Sequence, residues 1–311
     1  MTTGFRLCFL TAVLCLAPAI QAATTPITAA PVYRVALVDH FYPPLEALDN
    51  HEARRRHRRL HGPLDLDADD LPEPFYHGDL VEMIAAHPQL IFLRYPLAHN
   101  GTPMAEILQR LQQIETRFAQ HPVDALLLSW ESSTLISAFE KPLRRDNVKH
   151  YQALIRDWGR QYPVWQQSWQ IIRQLERLAT LGIKVFTIAG NGGRGMVNTF
   201  SFARGVTTVG AQEPELAHFV ANNSFVDTQA RAAYPLLSLR DANGEMLGYD
   251  LDNDQCADIP ATQLSAGYQP ASHYSREHWQ ILKGSSFAAP AALKAQLVGN
   301  TPVACQHPPA L

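Results

Sequence analysis

The stretch Tyr33-Arg34-Val35-Ala36-Leu37-Val38-Asp39 is an unbroken β-type run that stops on a carboxylate. A strand that is apolar on both faces, with no polar alternation, is what the interior of a parallel sheet requires. Working outward, similar runs lie at 90–94, 125–129, 184–189 and 206–210. Helical spacing fills the gaps between them. Leu80, Val81, Ile84 and Ala85 mark a helix over 78–86, and Ile107, Leu108, Leu111, Ile114 and Phe118 mark another over 104–119. Trp169, Ile172, Leu175 and Leu178 mark a third over 165–181. Strands alternating with helices of this length predict an α/β fold, with a mostly parallel central sheet flanked by helices and right-handed crossovers. Neither an internal repeat nor a dividing linker is visible, so one domain is expected from 23 to 311.

The 311 residues are 46% hydrophobic and 18% charged, with a formal net charge of -3. That composition argues against disorder, collagen and coiled coil. A near-neutral chain has no electrostatic footprint for a phosphate backbone, so nucleic acid is not an expected partner. Arg6, an apolar run over 7–20, and then Gln21-Ala22-Ala23 read as a secretory signal peptide over 1–22, cleaved after Ala22 or Ala23. An uncleaved anchor is the bland alternative, but a bilayer span takes about 20 apolar residues and this run is shorter. No later segment is long and apolar enough to span a membrane. The expected location is therefore the periplasm or the exterior, with no stable membrane span after cleavage. Of four cysteines, Cys8 and Cys15 would leave with the signal. Cys256 and Cys305 remain as an even pair in an oxidising compartment, and a disulfide between them is expected.

Two segments interrupt the α/β rhythm and read as insertions. Residues 51–74 run from a basic block, with Arg54, Arg55, Arg56, Arg58 and Arg59, into an acidic one, and like-charge blocks are usually solvated loops. Residues 234–270 contain Asp241-Ala242-Asn243-Gly244, a hairpin turn signal. They also contain Asp250, Asp252 and Asp254 at alternate positions, with Asp258 beyond, which resembles the opening of a Ca²⁺ loop. The sharp-turn glycine and the closing glutamate of such a loop are missing, so a solvated acidic loop competes with a structural calcium site. No Cys/His spacing suggests zinc.

Four local patterns carry possible chemistry, each with a bland alternative. Asp39 ends a buried strand at the sheet edge where sites form, or it is a turn residue. His77-Gly78 opens the helix 78–86, although any one of thirteen histidines is more often structural. Ile188-Ala189-Gly190-Asn191-Gly192-Gly193 runs from a strand into a Gly-rich loop without dinucleotide-binding spacing, and its side-chain amide suits an oxyanion hole. Gly284-Ser285-Ser286-Phe287-Ala288-Ala289-Pro290 places a serine at a helix N-terminus, where developing negative charge is favoured, or merely caps that helix.

Taken together and in this order, the four patterns closely resemble the subtilisin-like serine proteases, whose triad runs Asp, His, Ser along the chain. The resemblance covers roughly 33–293. It implies Ser286 as nucleophile, His77 as general base and then acid, and Asp39 as the group that orients the imidazole. It further implies Asn191 and the Ser286 backbone N–H as oxyanion donors. It places Ser129, Trp130 and Gly190 along the cleft, where a polypeptide substrate would bind as an added strand beside 126–132. No cofactor is required for that chemistry.

Departures from the family pattern are specific. His40-Phe41 follow Asp39 where small residues are usual, Asp79 follows His77-Gly78, and Trp130-Glu131 replace a glycine after Ser129. The leader 24–32 is too short for the folding-assistant pro-domain the family commonly carries. The resemblance therefore implies an exported serine endopeptidase working through an acyl-enzyme. Cleft crowding keeps a peptide-binding pseudoprotease of the same fold as the alternative. An α/β-hydrolase is excluded, since G-x-S-x-G and the order Ser, Asp, His are both lacking.

Overall fold

The computed structural model describes residues 30–42, 75–98, 102–263 and 281–299. Met1–Pro31 fall in a unit of their own, of which only Ala30 and Pro31 are described, and Val32–Leu311 form a second unit. The signal-peptide segment, the charged insertion 51–74 and residues 264–270 lie outside the described residues.

In chain order the first half comprises β1 (Tyr33–Asp39), α1 (His77–Ala85), β2 (Leu90–Pro96), α2 (Pro103–Arg117), β3 (Ala125–Leu128) and β4 (Ser133–Leu135). Then come α3 (Val148–Trp158), α4 (Pro163–Thr180), β5 (Lys184–Ile188), β6 (Met196–Asn198), β7 (Val206–Ala211) and β8 (Thr228–Ala230). The remainder is β9 (Ala233–Pro235), β10 (Leu237–Arg240), β11 (Met246–Asp250), β12 (Ile259–Pro260), β13 (Ile281–Lys283) and α5 (Ser285–Val298).

The central sheet has six strands in the order β2-β1-β3-β5-β7-β8, every neighbouring pair parallel. The expected mostly parallel sheet flanked by helices is what is found. From β1 the chain goes to β2 on one side, and only later to β3 on the other. That divergence is a topological switch point, and it opens a crevice beyond the C-terminal ends of β1 and β3.

Alternation along β1 sets the two cores. Val35 and Leu37 pack with Leu80, Val81 and Ile84 of α1 and with Phe287, Ala288 and Leu293 of α5. Ala36 and Val38 pack on the opposite face with Ile107 and Leu111 of α2 and Ile171 and Leu175 of α4. By the same period of two, the side chain after Leu37 on its face belongs to Asp39, which therefore falls on the side of α1 and α5.

The 234–270 insertion is sheet where described. β10, β11 and β12 form an antiparallel three-stranded sheet. Its first turn is the expected one: Asp241 Oδ1 accepts the N–H groups of Asn243 and Glu245, at 2.9 and 2.8 Å. β13 pairs antiparallel with β9, so the strand that leads into α5 is held before the helix begins.

Candidate active site

Asp39 is fully buried, and a bare carboxylate there would be costly. It is instead saturated: Oδ1 accepts the His40 N–H at 2.7 Å and Oδ2 accepts His77 Nδ1 at 2.8 Å. An ionised carboxylate only accepts, so Nδ1 carries the proton and Nε2 of the neutral ring is left as a base. Burial works to lower the His77 pKa, but the Asp39 charge and hydrogen bond outweigh it and the net shift is upward.

Why His77 sits there follows from the residues around the start of α1. Asp79 Oδ2 accepts the N–H groups of Tyr76 at 2.9 Å and Tyr42 at 2.8 Å, so one buried carboxylate caps the helix and ties it to the chain leaving β1. Arg94 on β2 supplies the counter-charge at 3.1 Å and lies over the Phe41 ring at 4.8 Å. The Gly78 N–H donates to His40 O at 2.9 Å. Burial raises the Asp79 pKa against the opposing pull of these N–H groups and of Arg94. The two departures at His40-Phe41 and Asp79 are thus parts of one clamp that delivers His77 to Asp39.

Ser286 is the second residue of α5 and nearly buried. Gly284, with φ +140°, precedes the helix in a conformation that a side chain would strain, and a Cβ there would lie 3.2 Å from Asn191 Oδ1. The Pro290 ring leaves no N–H to bond the Ser286 carbonyl four residues back. Ser129 Oγ donates to that carbonyl instead, at 3.2 Å. The His77 and Phe287 rings stand 5.7 Å apart, bringing the starts of α1 and α5 together. Among the described residues no hydrogen bond joins His77 Nε2 to Ser286 Oγ.

Asn191 is oriented by the residue before the serine. Its Oδ1 accepts both the N–H and the Oγ–H of Ser285, each at 2.9 Å, which turns the Nδ2 donors the other way. Ser285 Oγ also accepts the Gly190 N–H at 3.2 Å. The Gly190 carbonyl accepts from Ala221 at 2.9 Å. Both Gly190 main-chain groups are thereby engaged within the protein, which fixes the shape of the loop.

Of the other residues expected along a cleft, Ser129 directs its hydroxyl into the protein, to the Ser286 carbonyl. The Trp130 ring meets His40 edge-on at 5.4 Å, and its carbonyl accepts Asn198 Nδ2 at 3.1 Å. Glu131 does not line an empty wall: Oε2 accepts the Asn191 N–H at 2.8 Å and the Ser133 hydroxyl at 2.7 Å. The contributions of Ser285, Glu131 and Arg94 were missed from sequence. Ser285 lay inside a recognised block and Glu131 was visible as a departure, whereas Arg94 carried no signal.

Asp250, Asp252 and Asp254 do approach one another within 4.8 Å. Asp250, the buried member, already accepts the N–H groups of Asp252 and Asn253 on Oδ1 and of Gln255 on Oδ2. Burial beside these acids pushes Asp258 up to about 6. These three carboxylates could contribute oxygens to a cation, with those of Asp250 already engaged by N–H groups of its own loop. Cys256 is disulfide-bonded, and Cys305 lies outside the described residues. No described helix is long and apolar enough to cross a membrane.

No protein-family model matches the sequence, and no curated protein sequence matches it. Among solved structures the chain is similar to a lanthipeptide protease, at 16% identity and TM-score 0.43, covering 86% of this chain and 72% of that one. It is also similar to the prenylagaramide maturation protease PagA, at 14% identity and TM-score 0.44, covering 86% and 75%. A third is the epidermin leader peptide processing serine protease EpiP from Staphylococcus aureus, at 11% identity and TM-score 0.46, covering 87% and 65%.

Proposed function

We propose that the chain is an exported serine endopeptidase of the subtilisin-like kind, cleaving polypeptides through an acyl-enzyme. The observation that carries the reading is the 2.8 Å His77 Nδ1 to Asp39 bond at the sheet's C-terminal edge, on the face where α5 presents Ser286. In this mechanism Ser286 Oγ attacks the scissile carbonyl as His77 Nε2 takes its proton, and Asp39 stabilises the imidazolium. Asn191 Nδ2 and the Ser286 N–H receive the oxyanion. Collapse breaks the C–N bond as His77 returns the proton to the leaving amine. Water, activated by the same imidazole, then hydrolyses the ester and restores Ser286.

Export through a cleaved signal over 1–22 and a Cys256–Cys305 bridge belong to the same reading. The test is a fluorophosphonate label on the folded protein. It is expected to attach to wild type at Ser286 and not to Ser286→Ala, with casein turnover following the same pattern.

A second reading, a peptide-binding pseudoprotease, draws on the missing hydrogen bond between His77 and Ser286. Equal peptide binding by wild type and Ser286→Ala, with neither labelled nor cleaving, would select it.

A further inference from the structure

We infer that Glu131 is a positioning residue that couples the end of the substrate strand to the oxyanion loop. The inference rests on the protease reading of the site. Glu131 follows β3 in the segment that would line the substrate, yet its carboxylate reaches a loop sixty residues on. Oε2 accepts the Asn191 N–H at 2.8 Å, and Ser133, two residues along, donates its hydroxyl to the same oxygen at 2.7 Å. The socket is built to this side chain. Gly190 has φ +100°, and a Cβ on it would collide with Glu131 Oε2 and lie 2.7 Å from Ser133 Oγ.

Asn191 is therefore gripped at two points. Ser285 holds the carboxamide oxygen at 2.9 Å and Glu131 holds the backbone. Without the second grip Asn191 itself keeps only its side-chain tether to Ser285, and its Nδ2 donors are held less firmly relative to the Ser286 N–H. An oxyanion donor works only when it is already in place as charge develops, so small displacements are expensive in rate. What the site needs from position 131 is an acceptor at that reach, which a carboxamide oxygen also provides. Ground-state contacts that a peptide would make to the main chain of 129–131 do not require a carboxylate at 131.

The experiment compares full-length wild type with Glu131→Ala, Glu131→Gln and Glu131→Asp. The readouts are acylation by fluorophosphonate, affinity for a peptide aldehyde against the matching peptide alcohol, and hydrogen exchange at the Asn191 amide. The aldehyde forms an oxyanion on Ser286, and the alcohol does not. Glu131→Ala is expected to slow acylation about 30-fold and to weaken the aldehyde by a similar factor with the alcohol unchanged. Exchange at Asn191 should rise. Glu131→Gln should stay within about threefold of wild type, while Glu131→Asp, too short by one methylene, should fall with Ala. If Glu131→Ala does not fold, the Gln and Asp pair decides the matter. Equal loss of aldehyde and alcohol, an unchanged Asn191 exchange rate, or failure of Gln to restore activity would each overturn the inference. A wild type inert to the label sinks the protease reading instead, and the exchange comparison then still decides whether Glu131 anchors the loop.

Discussion

At the scale of the residue, the proposed mechanism makes the Asp39 and His77 pair the control on when the site can work. The carboxylate holds the imidazole pKa above its ordinary value against burial, which pulls it down. Only neutral His77 accepts a proton, so activity should fall as pH drops through that raised value. In Asp39→Asn the opposing charge is gone, and the acid limb of kcat/KM should move to lower pH. The maximum rate should fall about 10⁴-fold as the wrong tautomer is favoured. A pH–rate profile of the two proteins checks both effects, and an acid limb unmoved by the substitution would show that Asp39 does not set it. Part of this was readable from order along the chain, since a strand-end Asp, a His-Gly helix start and a Gly-Ser-Ser block each follow a local rule. Glu131 was not. Its partner Asn191 is distant in sequence, and no local pattern of charge or spacing connects them.

At the scale of the element, α5 begins under an unusual constraint, because Pro290 leaves the Ser286 carbonyl without its helical partner and Ser129 supplies the missing donor. Ser129→Ala should leave a buried acceptor unpaired and cost about 1–3 kcal/mol. In a Pro290→Ala background a backbone N–H becomes available, so the same substitution should cost less. Denaturation of the four proteins closes the cycle, and identical costs in both backgrounds would remove the link. The elements that sequence reading recovered share a strong apolar pattern, continuous in β1 and helically spaced in α4. β8, Thr228–Ala230, has almost no apolar content and is legible only as a partner of β7. α3 buries just Tyr151, Gln152 and Ile155, a stripe too sparse and too polar to stand out. Both are cases in which tertiary neighbours supply the stabilisation that local pattern lacks.

For the whole molecule, a bridge from Cys256 to Cys305 would tie the β11–β12 region to the chain beyond α5. Closing a loop of roughly 50 residues in the unfolded chain is worth about 4 kcal/mol by chain entropy. Reductant should lower the denaturation midpoint accordingly, and nonreducing peptide mapping should recover the two cysteines together. Recovery of either as a free thiol would dispose of the bridge. The topology has a separate bearing on how the protein is made. Asp39 and His77 leave the ribosome long before Asn191 and Ser286, and α5 must pack onto β5, β7 and α1 before Ser286 comes near His77. A sheet whose inner strands are joined only through long crossovers also closes slowly. Under the proposed mechanism, a chain still being synthesised would therefore hold Asp39 and His77 without Ser286 in place beside them. On that reading, latency during synthesis would come from the order of its own strands.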